Sequence, residues 1–310
     1  MRIVRTYNFF STTPPSFRFF FAVFTILACF LAVSFAGLLA AIPLFEMDLS
    51  DIGRAFSDYE STGRTSVIRY FQIIQSLGLF VIPSFIIGLM YSRSSINYLK
   101  LDSLPGFSLV MISVLLIIVT QPFINLVASF NKELLANGFF GYAEQWILES
   151  EQSAMKQVDA FMRAQGFSGL VLNIFTIALI PAIGEELLFR GILQRLFADW
   201  TSNIHAGILI SALVFSAIHF QFYGFLPRLF LGVLFGYLLV WSGSLWLPVF
   251  IHFVNNALAV VVMHCISTMD IGPGADSIGG SEDTVVYGIF SFFLTVVLLV
   301  IIIRKAKRGL

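Results

Sequence analysis

Apolar residues run along this chain in long unbroken blocks. They show neither the strict alternation of a half-buried strand nor the one-faced period of a surface helix. Eight blocks are of spanning length or close to it: 17–45, 67–91, 107–130, 169–189, 206–222, 225–241, 245–265 and 285–303. A helix needs about 20 apolar residues to cross a bilayer core. The pattern therefore predicts an all-α, polytopic integral membrane bundle of about eight transmembrane helices. Only Tyr223 and Gly224 separate the fifth block from the sixth, and only Ser242, Gly243 and Ser244 separate the sixth from the seventh. Turns that short make antiparallel neighbours. The first block is far longer than the apolar region of a secretory signal, about 7–15 residues, so it is expected to be retained as a span.

Composition agrees: 58% of the residues are hydrophobic and 12% charged, against about 25% charged in soluble domains. The net charge of zero points to no nucleic-acid partner. Cys29 and Cys265 both lie in apolar blocks and read as small buried hydrophobes, not as a disulfide or a cysteine metal site. The remaining charges sort by side. With eight crossings, Arg2, Arg5, Arg18, Arg93, Lys100, Arg195, Arg304, Lys305, Lys307 and Arg308 fall on one side. Glu46, Asp48, Asp51, Asp58, Glu60, Asp270, Asp276, Glu282 and Asp283 fall on the other. The positive-inside rule then places both termini in the cytoplasm. These basic ends, without an organelle signal, suggest a bacterial plasma membrane. The outer loop 131–165 has Ala154, Met155, Val158, Phe161 and Met162 at helical spacing in its second half. It is expected to lie in the interface or pack as a surface helix, in preference to acting as a lid. Residues 267–284, rich in Gly, Ser and Asp, read as a flexible outer loop.

An ionisable group in mid-bilayer costs about 2.5–3.5 kcal/mol on insertion scales, so one inside a span is by default a candidate functional group. Three places qualify, and the remaining spans look nearly free of such groups. In "PAIGEELLFRGILQRL", residues 181–196, Glu186 and Arg190 are spaced i, i+4 and can pair on one helical face. Glu185 is turned about 100° away and meets only Leu188 and Phe189 at i+3 and i+4. An unpaired carboxylate in low dielectric is a candidate general base. In "FSAIHF", Phe215 and His219 stand one turn apart. In "HFVNN", His252 and Asn256 are again i, i+4, with Asn255 beside them. Read one at a time, these are also compatible with interfacial glutamates, a satisfied core histidine and helix–helix glue. His205, in a connection, and His264, near the outer end of its span, are set aside.

In order and spacing these residues resemble the signature of the CAAX prenyl endopeptidase and bacteriocin-processing family, also called CPBP or Abi. The motifs stand here as Glu185-Glu186-x-x-x-Arg190, Phe215-x-x-x-His219 and His252-x-x-x-Asn256, and the intervening "FLGVLFGYLLVWSGSLWLPVFIH" is similar as well. The resemblance covers roughly residues 165–266, about a third of the chain, and no motif position departs from it. It implies an eight-helix intramembrane endopeptidase acting on a membrane-associated or lipidated peptide. The candidate catalytic residues become Glu185, Glu186, His219, His252 and Asn256, with Arg190 and Phe215 in support. Carried over, Glu185 and His219 polarise the attacking water, and His252 and Asn256 donate to the oxyanion. Glu186 and Arg190 hold the helix and shape the site. The resemblance favours a metal-free glutamate mechanism, so no cofactor is expected. The zincin pattern is absent, yet Glu185, His219 and His252 are chemically competent zinc ligands.

The resemblance also divides the chain: 1–165 as an N-terminal membrane region of three spans plus the amphipathic segment, 166–266 as the catalytic core of four spans, and 267–310 as outer loop and last span. The expected partners are the bilayer and a membrane-associated peptide or protein substrate, with no nucleic acid. Two other functions fit parts of the pattern. One is a non-proteolytic membrane scaffold or bacteriocin self-immunity protein of the same fold. The other is a proton-coupled transporter, disfavoured because no repeated pair of broken spans is visible.

Overall fold

The computed structural model describes residues 10, 13–55, 65–136, 141, 144–163, 166–269, 274 and 277–309. Of the loop charges above, Arg2, Arg5, Asp58, Glu60, Asp270 and Asp276 lie outside the described residues, as does the side chain of Arg308. Parts of the expected outer loops 131–165 and 267–284 lie outside them too.

Among the described residues the chain is all-helical, with nine long helices: α1 Pro15–Phe45, α2 Thr65–Tyr91, α3 Phe107–Ala136, α4 Glu144–Met162, α5 Gly166–Thr201, α6 Ile204–Ala217, α7 Phe225–Ser242, α8 Trp246–Met269 and α9 Val285–Gly309. Seven helical segments, all but α4 and α6, are long and apolar enough to cross a membrane. Phe20, Phe24, Leu31 and Phe35 on α1, with Phe290, Phe293 and Val297 on α9, are exposed. Such rows of outward apolar side chains suit hydrocarbon and not water. The chain is a multi-pass membrane protein built as a polytopic helical bundle.

The fifth predicted span is corrected. Block 206–222 is not one crossing helix: α6 has 14 residues, about 21 Å of rise against a core of about 30 Å. It ends at Ala217, and Phe220 follows in the left-handed region at φ 52°. Non-helical backbone at membrane depth survives only where protein or a wet cavity surrounds it. Here α4 covers it. Trp146 packs on the rings of Phe220 and Phe222 at 6.1 and 5.2 Å, and the Tyr223 amide donates to Glu151 at 2.8 Å. The amphipathic segment is therefore a 19-residue helix that begins ten residues before its expected periodic part and closes over the unwound turn.

The helix ends gather at two faces. At one, Arg18 pairs with Asp199 at 3.3 Å, Arg195 donates to the Tyr98 carbonyl, and Ser244 donates to the Ser103 carbonyl. Gly106, Ser242 and Arg304 line one cleft at that same face. At the other, Asn131 donates to the carbonyls of Phe222 and Tyr223.

Two of the membrane-depth helices carry π-helical turns just before a proline: 77–81 precedes Pro83, and 174–179 precedes Pro181. Proline lacks an N–H and crowds the carbonyl four residues back, and a π turn absorbs both. A third π turn, Leu187–Leu193, follows the paired glutamates.

Close approach of α6, α7 and α5 depends on Gly232 and Gly236. A methyl on Gly232 would stand 2.9 Å from Ala212 Cβ, and one on Gly236 2.7 Å from Gln194 Oε1. Small residues four apart let membrane helices approach closely. Overpacking such a contact costs about 1–3 kcal/mol. Gly232→Ala should lower the thermal unfolding temperature in detergent by several degrees. Gly53→Ala, where a new methyl meets nothing within 4 Å, should cause no loss.

Candidate active site

The middle of α5 brings Glu185, Glu186 and Arg190 against α6, α7 and α8. Glu186 is fully buried. Its Oε1 accepts from Arg190 Nη1 at 2.7 Å and from His252 Nδ1 at 2.8 Å, while its Oε2 has no protein partner. The predicted i, i+4 pair therefore forms, and it recruits a histidine from α8. Arg190 also donates Nη2 to the Gly232 carbonyl at 3.1 Å. One turn on, Gln194 donates to the Gly236 carbonyl at 3.3 Å. The glycines that permit close approach thus expose the carbonyls that these two side chains reach. The Arg190 guanidinium lies 4.6 Å from the Phe215 ring centre and 5.4 Å from that of Phe235. Charge, hydrogen bond and cation–π contact together offset its burial.

The two motif histidines are held in defined tautomers. A peptide carbonyl only accepts, so the 2.7 Å contact of His219 Nδ1 with the Phe215 carbonyl makes Nδ1 the donor. Glu186 Oε1 already accepts from Arg190, so His252 Nδ1 donates to it as well. In both rings Nε2 is left for chemistry. Phe235 stacks on His252 at 5.0 Å. Phe215 meets His219 edge-on at 5.0 Å and His252 at 6.1 Å. The predicted support residue Phe215 thus lies between the two imidazoles and the arginine.

Glu185, with 13% of its side chain exposed, approaches His252: Oε2 to Nε2 is 3.8 Å. A bare Nε2 and a carboxylate are both acceptors, so a proton or a polar hydrogen of a third group has to stand between them. His219 is near enough to feel the charges of Glu185, Arg228 and His252. Among the described residues no three His, Cys, Asp or Glu side chains are arranged to hold a metal ion.

Asn256 belongs to a relay that motif spacing leaves out. Gln121 on α3 donates to Asn255 Oδ1 at 3.1 Å, and Asn255 donates to Asn256 Oδ1 at 3.2 Å. With its carbonyl oxygen engaged, Asn256 keeps its amide donors for another partner. The remaining spans are also less bare than the block pattern implies: Arg69 on α2 is buried, and Arg228 lies in the first turn of α7. His205 bonds to Tyr237 and His264 receives Ser267 and Thr268 at its carbonyl, so neither shares a bond with the site.

Carboxylates, imidazoles and an amide carried by neighbouring helices of a membrane bundle make this a candidate active site. The comparisons narrow it. Residues 167–258 match the family model described as type II CAAX prenyl endopeptidase Rce1-like. The match is to this region alone, under a third of the chain, and it is to the same CAAX prenyl endopeptidase family, CPBP, that the motifs resemble. The chain is 31% identical over 90 residues to "Uncharacterized protein YpbD" of Bacillus subtilis, which covers 28% of this chain and 43% of that one. It is 35% identical over 98 residues to "Uncharacterized 24.3 kDa protein" of Escherichia coli, covering 30% and 44%. It is 25% identical over 142 residues to "Putative membrane peptidase YdiL" of B. subtilis, covering 44% and 54%. The chain thus spans about half the length of the curated relatives it matches. No solved structure matches it.

Removing one partner of a buried ion pair costs about 3–5 kcal/mol, because the other charge stays buried. Arg190→Ala should therefore lower the unfolding temperature in detergent strongly, and Arg190→Lys should restore part of the loss.

Proposed function

We propose that this chain is an intramembrane endopeptidase that hydrolyses a peptide bond of a membrane-associated or lipidated substrate. The supporting observation is the arrangement Arg190–Glu186–His252–Glu185: a buried ion pair fixes the tautomer of an imidazole whose free nitrogen faces a second, partly exposed carboxylate.

Glu185 acts as general base. It takes a proton from a water that His219 Nε2 also polarises, and the water oxygen bonds to the scissile carbonyl carbon. The carbonyl oxygen becomes an oxyanion. Asn256 donates to it through the amide that Asn255 leaves free, and His252 donates when Nε2 carries a proton. Collapse re-forms the carbonyl, breaks the C–N bond and passes the proton held by Glu185 to the leaving nitrogen. The products are a carboxylic acid and an amine. General acid–base catalysis supplies about 10²–10⁴-fold, and one oxyanion donor about 10²–10³-fold. Glu186 and Arg190 act through His252 as positioning residues. By the distribution of charge the face carrying Arg18, Arg195 and Arg304 is the cytoplasmic one, and the host membrane is a bacterial plasma membrane.

Purified protein in detergent, offered a panel of membrane-bound and prenylated peptides, should cleave at least one. Glu185→Gln should lower that rate by about 10²–10⁴-fold with insertion unchanged, and a strong chelator should leave the wild-type rate intact. Full activity in Glu185→Gln would remove the base assignment, and loss of activity in chelator would remove the metal-free one.

A further inference from the structure

Two guanidiniums flank the site, and they are bonded differently. Arg190 has a carboxylate at 2.7 Å. Arg228 has none within ion-pair distance among the described residues. Its Nη1 donates to the Gln221 side-chain oxygen at 2.6 Å, its Nη2 donates to the Gln221 main-chain carbonyl, and its Nε is buried without a partner. All its acceptors are neutral oxygens of one residue in the unwound turn.

Arg228 is nonetheless part of the site. The residue that holds it, Gln221, lies two positions after His219 in the same turn. The guanidinium packs over Gly224, where an added methyl would meet its carbon at 3.0 Å. Glu151 turns its Oε1 to the Tyr223 amide instead of closing a pair with the arginine. A partly buried cation satisfied only by neutral acceptors retains its preference for a planar anion that it can bind through two N–H groups. The 218–224 turn to which Arg228 is bonded carries His219 and lies under α4.

We infer that Arg228 is a specificity-determining residue that binds a carboxylate of the peptide substrate close to the scissile bond. A peptide offers that chemistry in two forms, its C-terminal carboxylate and an Asp or Glu side chain. This inference rests on the endopeptidase reading for its substrate class, but binding can be measured without turnover.

The test uses full-length protein in detergent carrying Glu185→Gln, which slows consumption of the probe. Three fluorescein-labelled, S-farnesylated peptides of one apolar sequence are compared by anisotropy: a C-terminal acid, a C-terminal amide, and an amide with one Glu near its end. At least one carboxylate form should bind about tenfold tighter than the plain amide, and which form does so identifies the source. Adding Arg228→Gln should bring carboxylate binding down to that of the amide, with amide binding unchanged. Arg228→Lys, which keeps the charge but not the fork, should retain part of the preference and guards against misfolding of the glutamine variant. Equal binding of all three peptides, absence of binding, or a preference that survives Arg228→Gln overturns the inference. Carboxylate-selective binding with no cleavage by wild type would sink the endopeptidase reading and leave Arg228 standing. Cleavage without carboxylate selectivity would do the reverse.

Discussion

The constraint on which the rest depends is the burial of one carboxylate. Glu186 is wholly removed from solvent, and an isolated ionised carboxylate there would be very costly. Its oxygen is shared between Arg190 on its own helix and His252 on α8. That sharing ties α5 to α8 through His252 and to α7 through the second arm of Arg190 on the Gly232 carbonyl. Shape follows from the same bonds, since Gly232 and Gly236 bring α7 near enough for Arg190 and Gln194 to reach its backbone. The chemistry follows too, because the bond to Glu186 decides which nitrogen of His252 is free.

Irregular backbone sits at the candidate site. Helix α6 stops short and hands over to a turn with a left-handed Phe220, so His219 is presented from a loop and not from a helical face. The His219 ring takes the Phe215 carbonyl for itself. Helix α4 covers the turn with Trp146 and Glu151. Membrane proteins tolerate such backbone only under that kind of cover, so α4 supports the candidate site although it carries none of the motif residues.

Much of this is legible in the sequence because it is local. The apolar blocks give the class of fold, and i, i+4 spacing gives the Glu186–Arg190 pair. The parts that are not legible are long-range. Nothing near Gln121 signals that it meets Asn255, 134 positions away. Glycine spacing at 232 and 236 is visible but does not say which helix approaches. Arg228 is hidden in a block whose mean apolarity still reads as a span. The end of α6 at Ala217 is masked for the same reason: Ile218, Phe220 and Phe222 keep the apolar run going after the helix has stopped. Glu185 is legible as an unpaired carboxylate, but its nearness to His252 comes only from the packing of α8 on α5.

The central claim is that a buried, shared Glu186 charge organises the site. A double-mutant cycle on thermal stability in detergent tests it most directly, with Arg190→Ala, Glu186→Gln and the pair. If the cost of losing Arg190 is mainly a carboxylate left buried without its cation, neutralising that carboxylate relieves it. The double variant should then recover at least half of the stability lost by Arg190→Ala alone. A double variant whose loss equals the sum of the two single losses would contradict the account, because the two side chains would then act independently.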